Sequence, residues 1–271
     1  MEKIIESLIS MNTDVMFVIL LAIFFTFEQI LENGSAFKKN SIHLFHSLIL
    51  QAIYIFLNIL MASVFVLIFD WVSANKIGLL NQTALPYVLK IIVGILALDF
   101  IGYWGHRLNH KYALFWRLHR VHHSDTKMDS STSFRAHPFD VFLDNGSVLI
   151  AGILFGLDLN IIVLRWIIYM PLFVAHHCSY KFPLWMDATL GKIFVTPNLH
   201  KIHHHQNQEF TDSNYGNIFI FWDKLFGTYK ELPVDEIKYG LIEFEGTTKQ
   251  SFWYLLISPF MNVKSKNYSK S

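Results

Sequence analysis

The sequence predicts an all-α integral membrane protein with about four transmembrane helices and a helical cap on the cytosolic side. Three observations support this fold class. Hydrophobic residues make up 53% of the 271 residues and charged residues only 16%, against roughly 25% charged in an ordinary soluble domain. Several apolar runs are long enough to cross a bilayer. The 14 histidines gather largely in short clusters beside the ends of such runs.

The apolar runs define the expected spans. The first, 14–31, is nearly continuous apolar sequence, and the second, 42–69, is the strongest candidate because it is long and almost free of charge. The third, 85–104, leads directly into the first histidine motif. Two further runs, 142–157 and 161–175, are separated by a short polar break. They form either one helical hairpin or a fourth and a fifth span.

These spans are expected to belong to one membrane-embedded domain, 1–271, because the sequence holds no internal repeat and no low-complexity linker. Within it we expect the first three spans at 14–104, a histidine-rich region at 99–230 and a C-terminal tail at 231–271. The N-terminus lacks a basic segment and a small-residue cleavage site, so we expect it to be retained.

The net charge argues against a nucleic-acid-binding protein, and the cysteine count excludes a protein built on disulfides or on a thiolate metal cluster. The formal net charge is +1, and no run of basic residues is interleaved with aromatic ones, so the sequence does not predict a nucleic-acid-binding protein. Cys178 is the single cysteine. Neither an internal disulfide framework nor a thiolate metal cluster can therefore form.

Basic residues set the expected orientation, since cytoplasmic loops are enriched in lysine and arginine. Lys38 and Lys39 follow the first span, and the loop near 70–83 holds only Lys76. The stretch after the third span carries the largest group, which consists of Arg107, Lys111, Arg117, Arg120, Lys127 and Arg135. The histidine-rich region is therefore expected to face the cytoplasm.

The histidines occur in four motifs near the span ends. They are HRLNH at 106–110, HRVHH at 119–123, the pair at 176–177 and HKIHHH at 200–205. Residues four apart on a helix lie on one face and can hold one metal ion. Because one first-row metal seldom takes more than about six ligands, eight or more imidazoles indicate two ions. Imidazole suits zinc, copper, iron and nickel, so spacing alone leaves the metal open.

The stretches 99–138 and 197–229 closely resemble the sterol desaturase and fatty acid hydroxylase superfamily, whose histidine boxes they reproduce. The resemblance implies a membrane oxygenase with two iron ions (Fe) that uses O2 to hydroxylate or desaturate a lipid. It also implies an external electron donor, cytochrome b-type or ferredoxin-like, since the sequence shows neither a haem-binding module nor a Gly-rich dinucleotide fingerprint.

The same resemblance implies which residues bind the metal. The expected ligands are His106, His110, His119, His122, His123, His177, His200, His203 and His204. The box around 177 is the loosest, because Ser179 stands where the family usually has asparagine, so His176 remains the alternative to His177. The frequent HPxE of the family reads His137-Pro138-Phe139-Asp140 here. His137 is therefore a further candidate, either as a ligand or as a residue that supports one.

Several other polar residues are candidates for a supporting role. Asp99 lies two helical turns before His106 and could accept the second N–H of a ligand histidine. Asp223 could support a ligand or serve a turn. His43 and His46 lie outside the family boxes and are expected not to bind metal, and Glu28 is expected to be an interfacial or snorkelling side chain.

Two other functions compete with the oxygenase. A zinc-dependent membrane hydrolase would need a general base near its ligands, and none of the histidine boxes contains glutamate. A metal transporter or sensor would place its histidines within the spans, whereas these lie at span ends. Hydroxylation of a lipid is the preferred interpretation.

Overall fold

A computed structural model describes residues 2–31 and 37–262, and this part of the chain is helical, with two isolated β-bridges and no strand. Twelve α-helices lie in the described residues. In chain order they are α1 Glu2–Ile9, α2 Thr13–Leu31, α3 Phe37–Ala74, α4 Tyr87–Lys111, α5 Ala113–His123, α6 Asp140–Phe155, α7 Leu159–His177, α8 Leu184–Thr189, α9 Pro197–His203, α10 Gln208–Thr211, α11 Phe221–Leu225 and α12 Phe252–Ile257.

Three of the described helices, α3, α4 and α7, are long and apolar enough to cross a membrane. The apolar α2 covers the first predicted span, and α6 has only 16 residues. At 1.5 Å per residue, α3 is about 57 Å long and exceeds a hydrocarbon core of roughly 30 Å. Large hydrophobic side chains such as Phe56, Ile59 and Leu67 are exposed on it. Such a surface is suited to lipid rather than to water.

The helices α6 and α7 are joined by a short turn, and each packs along α4. Gly156 ends α6 with a φ of 69°, a left-handed conformation that glycine adopts without strain. The backbone of Gly78 approaches this turn so closely that a side chain at Gly78 would meet backbone atoms. Leu80, Leu157 and Ile161 are buried together at this end of the bundle, which is the end opposite to the histidine motifs.

The segment that follows the histidine-rich region packs onto α3 and α5. Leu241, Phe244 and Leu255 are buried against Leu50 of α3 and Trp116 of α5. Residues 231–262 of the predicted tail are therefore partly integrated into the core. The lysines at 264, 266 and 270 lie outside the described residues.

Two of the basic residues counted for orientation are buried. Arg120 donates to the carbonyl of Ser258, and Arg135 lies among Ser124, His43 and Gln250. Their charges serve contacts inside the protein, so they do not bear on the orientation. Outside the core, the basic residues near the histidines are Arg107, Lys111, Arg117 and Lys127.

Candidate metal centre

Nine histidines converge into two neighbouring groups. The first histidine group contains His106, His110, His119, His123 and His203, and the second contains His122, His177, His200 and His204. Each histidine of a group offers one ring nitrogen, and these nitrogens all lie within 4.8 Å of one another. These are the nine residues for which the sequence predicts metal binding.

The two HxxHH motifs contribute to both groups in opposite ways. In α5, His119 and His123 enter the first group while His122 enters the second. In α9 and at its C-cap His204 the assignment is reversed, since His200 and His204 belong to the second group and His203 to the first. Residues four apart share a helix face and the residue between them is rotated away. The rings of His123 and His204 stack at 4.4 Å between centroids, where the groups meet.

The spacing of the ring nitrogens fits ligands of a metal ion. In the second group, the Nε2 atoms of His122 and His177 are 3.1 Å apart, and Nε2 of His200 lies 3.3 Å from that of His177. With metal–nitrogen distances of about 2.0–2.1 Å, neighbouring ligand atoms are about 2.8–3.4 Å apart, from octahedral to tetrahedral angles. In the first group, His106 Nε2 and His119 Nε2 are separated by 3.1 Å.

Backbone carbonyls orient several of these rings. The Nδ1–H of His106 donates to Tyr215 O at 2.9 Å, and that of His203 donates to Ser213 O at 2.7 Å. The Nδ1–H of His177 donates to Phe173 O, also at 2.7 Å. A carbonyl that accepts at Nδ1 fixes the tautomer in which Nε2 carries the free lone pair. These three rings are therefore preset to bind a cation through Nε2.

A carboxylate orients one further ring of the first group. His110 Nδ1 lies 3.2 Å from Asp212 Oδ1. Nε2 of His110 and Nε2 of His203 are buried and have no hydrogen-bond partner among the described residues. Burying an unpaired polar nitrogen costs free energy, so such atoms call for a partner that the polypeptide does not supply. A metal ion fits this requirement.

Burial keeps the imidazoles of His122, His123 and His204 neutral. Burial, together with nearby His106, lowers the pKa of His122 to about 4. The pKa of His123 and the pKa of His204 also lie well below 6.5, again mainly because of burial and then because neighbouring imidazoles repel a second positive charge. Neutral imidazole is the form that binds metal. These histidines can therefore bind metal cations at neutral pH without first losing a proton.

The two groups differ in accessibility. All four members of the second group are buried. In the first group, His106 and His119 are only half-buried, so this group has an accessible side.

The other predicted site histidines lie outside both groups. His176 donates through Nε2 to Val195 O at 2.9 Å, so the structure brings His177, and not His176, into the second group. The Nε2–H of His137 donates to Leu256 O at 3.0 Å, and its Nδ1 accepts from the backbone of Phe139. His137 therefore links the start of α6 to the C-terminal segment.

The predicted carboxylates act on the backbone around the first group. Asp99 accepts from the backbone N–H groups of Ile218 and Phe219 and from Trp222 Nε1. It makes these contacts in place of the expected one with a ligand imidazole. Asp223 accepts from the N–H of Tyr215 at 2.8 Å. Since the carbonyl of Tyr215 orients His106, Asp223 positions that ring indirectly.

Three more histidines lie outside the groups. His43 pairs with Asp125, with 3.0 Å between His43 Nε2 and Asp125 Oδ2. His205 accepts through Nδ1 from the backbone of Asn207, although it follows His204 directly. His46 is half-buried on α3.

The sequence interpretation of Glu28 as a snorkelling side chain is wrong, because this residue is 1% exposed. Its carboxylate accepts from the backbone N–H of Ser130 at 3.1 Å and from that of Ser179. Since Ser179 lies two residues after His177, Glu28 anchors the end of α7 beside the second group. The signal in the sequence was a lone carboxylate in an apolar run, which is costly unless it is paired.

Comparison with known proteins adds to this geometry. A family model described as fatty acid hydroxylase matches residues 91–228. Alkylglycerol monooxygenase of Caenorhabditis elegans is 33% identical over 174 residues, which cover 59% of this chain and 32% of the relative. Ornithine lipid hydroxylase OlsE of Rhizobium tropici is 29% identical over 150 residues, 55% of this chain and 44% of the relative.

Methylsterol monooxygenase 2-2 of Arabidopsis thaliana is 32% identical over 133 residues, which cover 49% of each protein. The chain thus spans about a third to a half of the length of these three relatives. No solved structure matches it.

Proposed function

Because this chain belongs to the fatty acid hydroxylase family, whose members include iron-dependent oxygenases, we propose that it is a membrane oxygenase that hydroxylates a lipid with O2. The observation that carries the proposal is the convergence of nine imidazoles into two groups with ligand-like spacing. The relatives named as a monooxygenase and a hydroxylase support the reaction type.

Each histidine group is proposed to hold one iron ion. The first group offers five imidazoles and the second offers four. Both numbers are below the limit of about six ligands for one such ion. When bound, the two irons supply the activation of O2 for attack on a C–H bond. Neither group contains a carboxylate among the described residues, so the metal charge stays largely uncompensated by the protein.

The chain itself contributes orientation, neutrality and access. The carbonyls of Tyr215, Ser213 and Phe173 hold three rings with Nε2 available. Burial excludes water from the second group, which protects a reactive centre from side reactions. The half-buried rings of His106 and His119 mark the side on which a lipid reaches the centre.

The proposal includes a location and a source of electrons. We place the histidine groups on the cytoplasmic side, because Arg107, Lys111, Arg117 and Lys127 lie at that end of the bundle. α2 and α6 are proposed to cross the membrane with the three longer helices. The electrons come from a separate cytochrome b-type or ferredoxin-like protein.

Isotope labelling tests the reaction. The iron-loaded protein is placed in nanodiscs that contain an alkylglycerol or a sterol and is supplied with a reduced ferredoxin and 18O2. The lipids are then extracted, and their masses are measured by mass spectrometry. We expect a product that carries one 18O atom and is absent without O2. A product that lacks two hydrogens and contains no 18O would show that the reaction is desaturation and not hydroxylation. Ester cleavage by a zinc-loaded protein without O2 uptake would overturn the oxygenase altogether.

A further inference from the structure

The backbone carbonyl of Arg135 orients one ring of the second histidine group. The imidazole of His122 donates a hydrogen bond to this carbonyl. Since Nε2 of His122 faces Nε2 of His177 at 3.1 Å, the nitrogen that donates is Nδ1. The carbonyl of Arg135 therefore does for His122 what the carbonyl of Phe173 does for His177, and it leaves Nε2 available to a metal ion.

The position of this carbonyl is set by a buried 3₁₀ turn, Ser130–Phe134, which ends at Arg135. The backbone N–H of Arg135 donates to Thr132 O at 2.9 Å. At the other end of the turn, the side chain of Asp129 accepts from the backbone of Ser131. The turn contributes no member to either histidine group, so its link to the second group is this carbonyl.

The guanidinium of Arg135 is fully buried and has partners from three separate segments. Nε donates to Ser124 Oγ at 3.2 Å, Nη2 donates to Gln250 Oε1, and Nη1 lies 3.3 Å from His43 Nε2. A guanidinium presents its donors in a rigid planar fork. The three partners together therefore fix the orientation of the side chain and, through it, the end of the turn.

Two carboxylates offset the charge of this guanidinium. Asp125 and Asp129 both attract it electrostatically, and Oδ2 of Asp125 lies 3.0 Å from Nε2 of His43. Replacement of a buried ion network by apolar side chains is often neutral or stabilising. The geometry that the network fixes beside His122 explains it better than a gain in stability does.

Gln250 connects the guanidinium to the end of α5. Its Nε2 donates to Ser124 O at 2.9 Å and to Phe244 O at 2.8 Å. Ser124 is the C-cap of α5, the helix that carries three of the nine converging histidines. Gln250 and His43 both lie outside residues 91–228, the part of the chain that matches the family model. The second histidine group thus receives support from two segments beyond that match.

We propose that Arg135 is a positioning residue for the second histidine group, and that His43 and Gln250 hold its guanidinium in place. Through its carbonyl, Arg135 keeps Nε2 of His122 aimed at the metal ion. The inference rests on the proposed binding of one metal ion by each histidine group. It does not depend on oxygen chemistry, so a divalent metal in the absence of O2 is sufficient to test it.

Release of Co²⁺ to a chelator tests the inference. Metal-free protein in detergent is loaded with Co²⁺ and mixed with excess EDTA, and the visible absorption of the bound ions is followed over time. His204→Ala damages the second group and identifies the phase of release that belongs to it. Gln250→Met and His43→Leu should each accelerate that phase about tenfold, a usual effect of losing a residue that orients a ligand, and leave the other phase unchanged.

Arg135→Lys keeps the charge but loses the planar fork, and it should accelerate the same phase. Thermal unfolding of the metal-free variants identifies any that fails to fold. Gln250 is only half-buried, so Gln250→Met provides the test if Arg135→Lys does not fold. A general loss of stability would accelerate the release of both ions, whereas a misplaced His122 affects one.

Each of the two outer partners has a matched control. Gln206→Met also removes a glutamine that ties the histidine-rich region to the C-terminal segment, but by a different hydrogen bond, from Gln206 Nε2 to Glu245 Oε1 at 3.1 Å. His46→Leu removes the histidine three positions after His43 on α3. Both variants should release Co²⁺ like the wild-type protein.

Unchanged release in Gln250→Met and His43→Leu, or equal acceleration of both ions, would overturn the assignment of Arg135. The same acceleration in Gln206→Met as in Gln250→Met would also overturn it. A wild-type protein that binds no Co²⁺ would contradict the proposed metal groups themselves. Selective acceleration in a protein that inserts no 18O into lipid would support the positioning role and contradict the oxygenase, so the two failures are distinguishable.

Discussion

The Nε2 atoms of His122 and His177 lie 3.1 Å apart although 55 positions separate these residues in the chain. One belongs to α5 and the other ends α7. The second histidine group therefore forms only when helices from distant parts of the sequence pack together. Metal binding to such a group stabilises the folded protein, because the unfolded chain cannot present the same ligands.

Separate substitutions of two adjacent histidines, His204 and His205, test the ligand assignment. His204→Ala should lose most of the iron in the second group and all lipid oxidation, because it removes one of four converging ring nitrogens. His205→Ala should retain both, since His205 contacts the backbone of Asn207 instead. Iron content and product yield of the two purified variants measure the difference. Loss of iron in both variants to the same degree would contradict the assignment.

Asp223 is expected to act on the first group through the backbone. In the wild-type protein, the backbone N–H groups of Tyr215 and Gly216 donate to the two carboxylate oxygens of Asp223. Asp223→Asn replaces one of these oxygens by an amide NH2 group, which cannot accept. The stability of the fold should fall by about 1–3 kcal/mol, and iron should be lost more readily from the group that contains His106. Thermal unfolding and the rate of iron loss to a chelator are the measurements.

The control for this variant is Asp235→Asn, whose carboxylate is exposed and pairs with Lys181 at the surface. It should unfold like the wild-type protein. If Asp223→Asn released iron no faster than Asp235→Asn, the proposed link from Asp223 through Tyr215 to His106 would be refuted.

The metal-free protein should lose stability in mild acid. The pKa of His122 is lowered by burial to about 4, while the unfolded chain takes up a proton at an ordinary histidine pKa of about 6.5. The unfolded state thus binds more protons, and each pH unit below 6.5 costs the fold about 1.4 kcal/mol from this residue until the pH nears 4. Denaturant unfolding of metal-free protein at pH 7, 6 and 5 measures this dependence.

In the same series, His122→Asn should show a weaker dependence on pH than the wild-type protein, because one buried histidine is gone. Stability that stays constant between pH 7 and pH 5 would show that burial does not depress the pKa of His122.

Cysteine labelling tests the proposed orientation. Cys178 is buried, so an impermeant maleimide should report cysteines that are introduced at exposed positions. Arg117→Cys, on α5, should react only after the cells are opened, whereas Ala84→Cys, before α4, should react in intact cells. Both positions are exposed. The reverse labelling pattern would place the histidine groups on the outer face.

The histidine pattern predicted which residues converge, but not how they divide. His122 and His123 are neighbours in the sequence and enter different groups, as do His203 and His204. Helical geometry separates adjacent residues by about 100°, so the division required knowledge of where α5 and α9 pack. Three of the five apolar runs coincide with α3, α4 and α7, the described helices that are long and apolar enough to cross a membrane, because length and composition determine whether a helix can span a bilayer.

The supporting residues were harder to predict because their partners are remote in sequence. Asp99 bonds to Ile218, which is 119 positions away, and Glu28 bonds to Ser130 at a separation of 102. No local pattern reveals such pairs. What the sequence did offer was the high cost of a carboxylate in an apolar run, which required some partner without specifying it.

Metal analysis of the purified wild-type protein tests the central claim most directly. Iron-reconstituted protein, measured by inductively coupled plasma mass spectrometry against amino-acid analysis, should contain two iron ions per chain. His110→Ala and His204→Ala should each reduce the iron content, because each removes a ligand from a different histidine group. A wild-type protein that binds one metal ion per chain, or binds zinc in preference to iron under these conditions, would contradict the account.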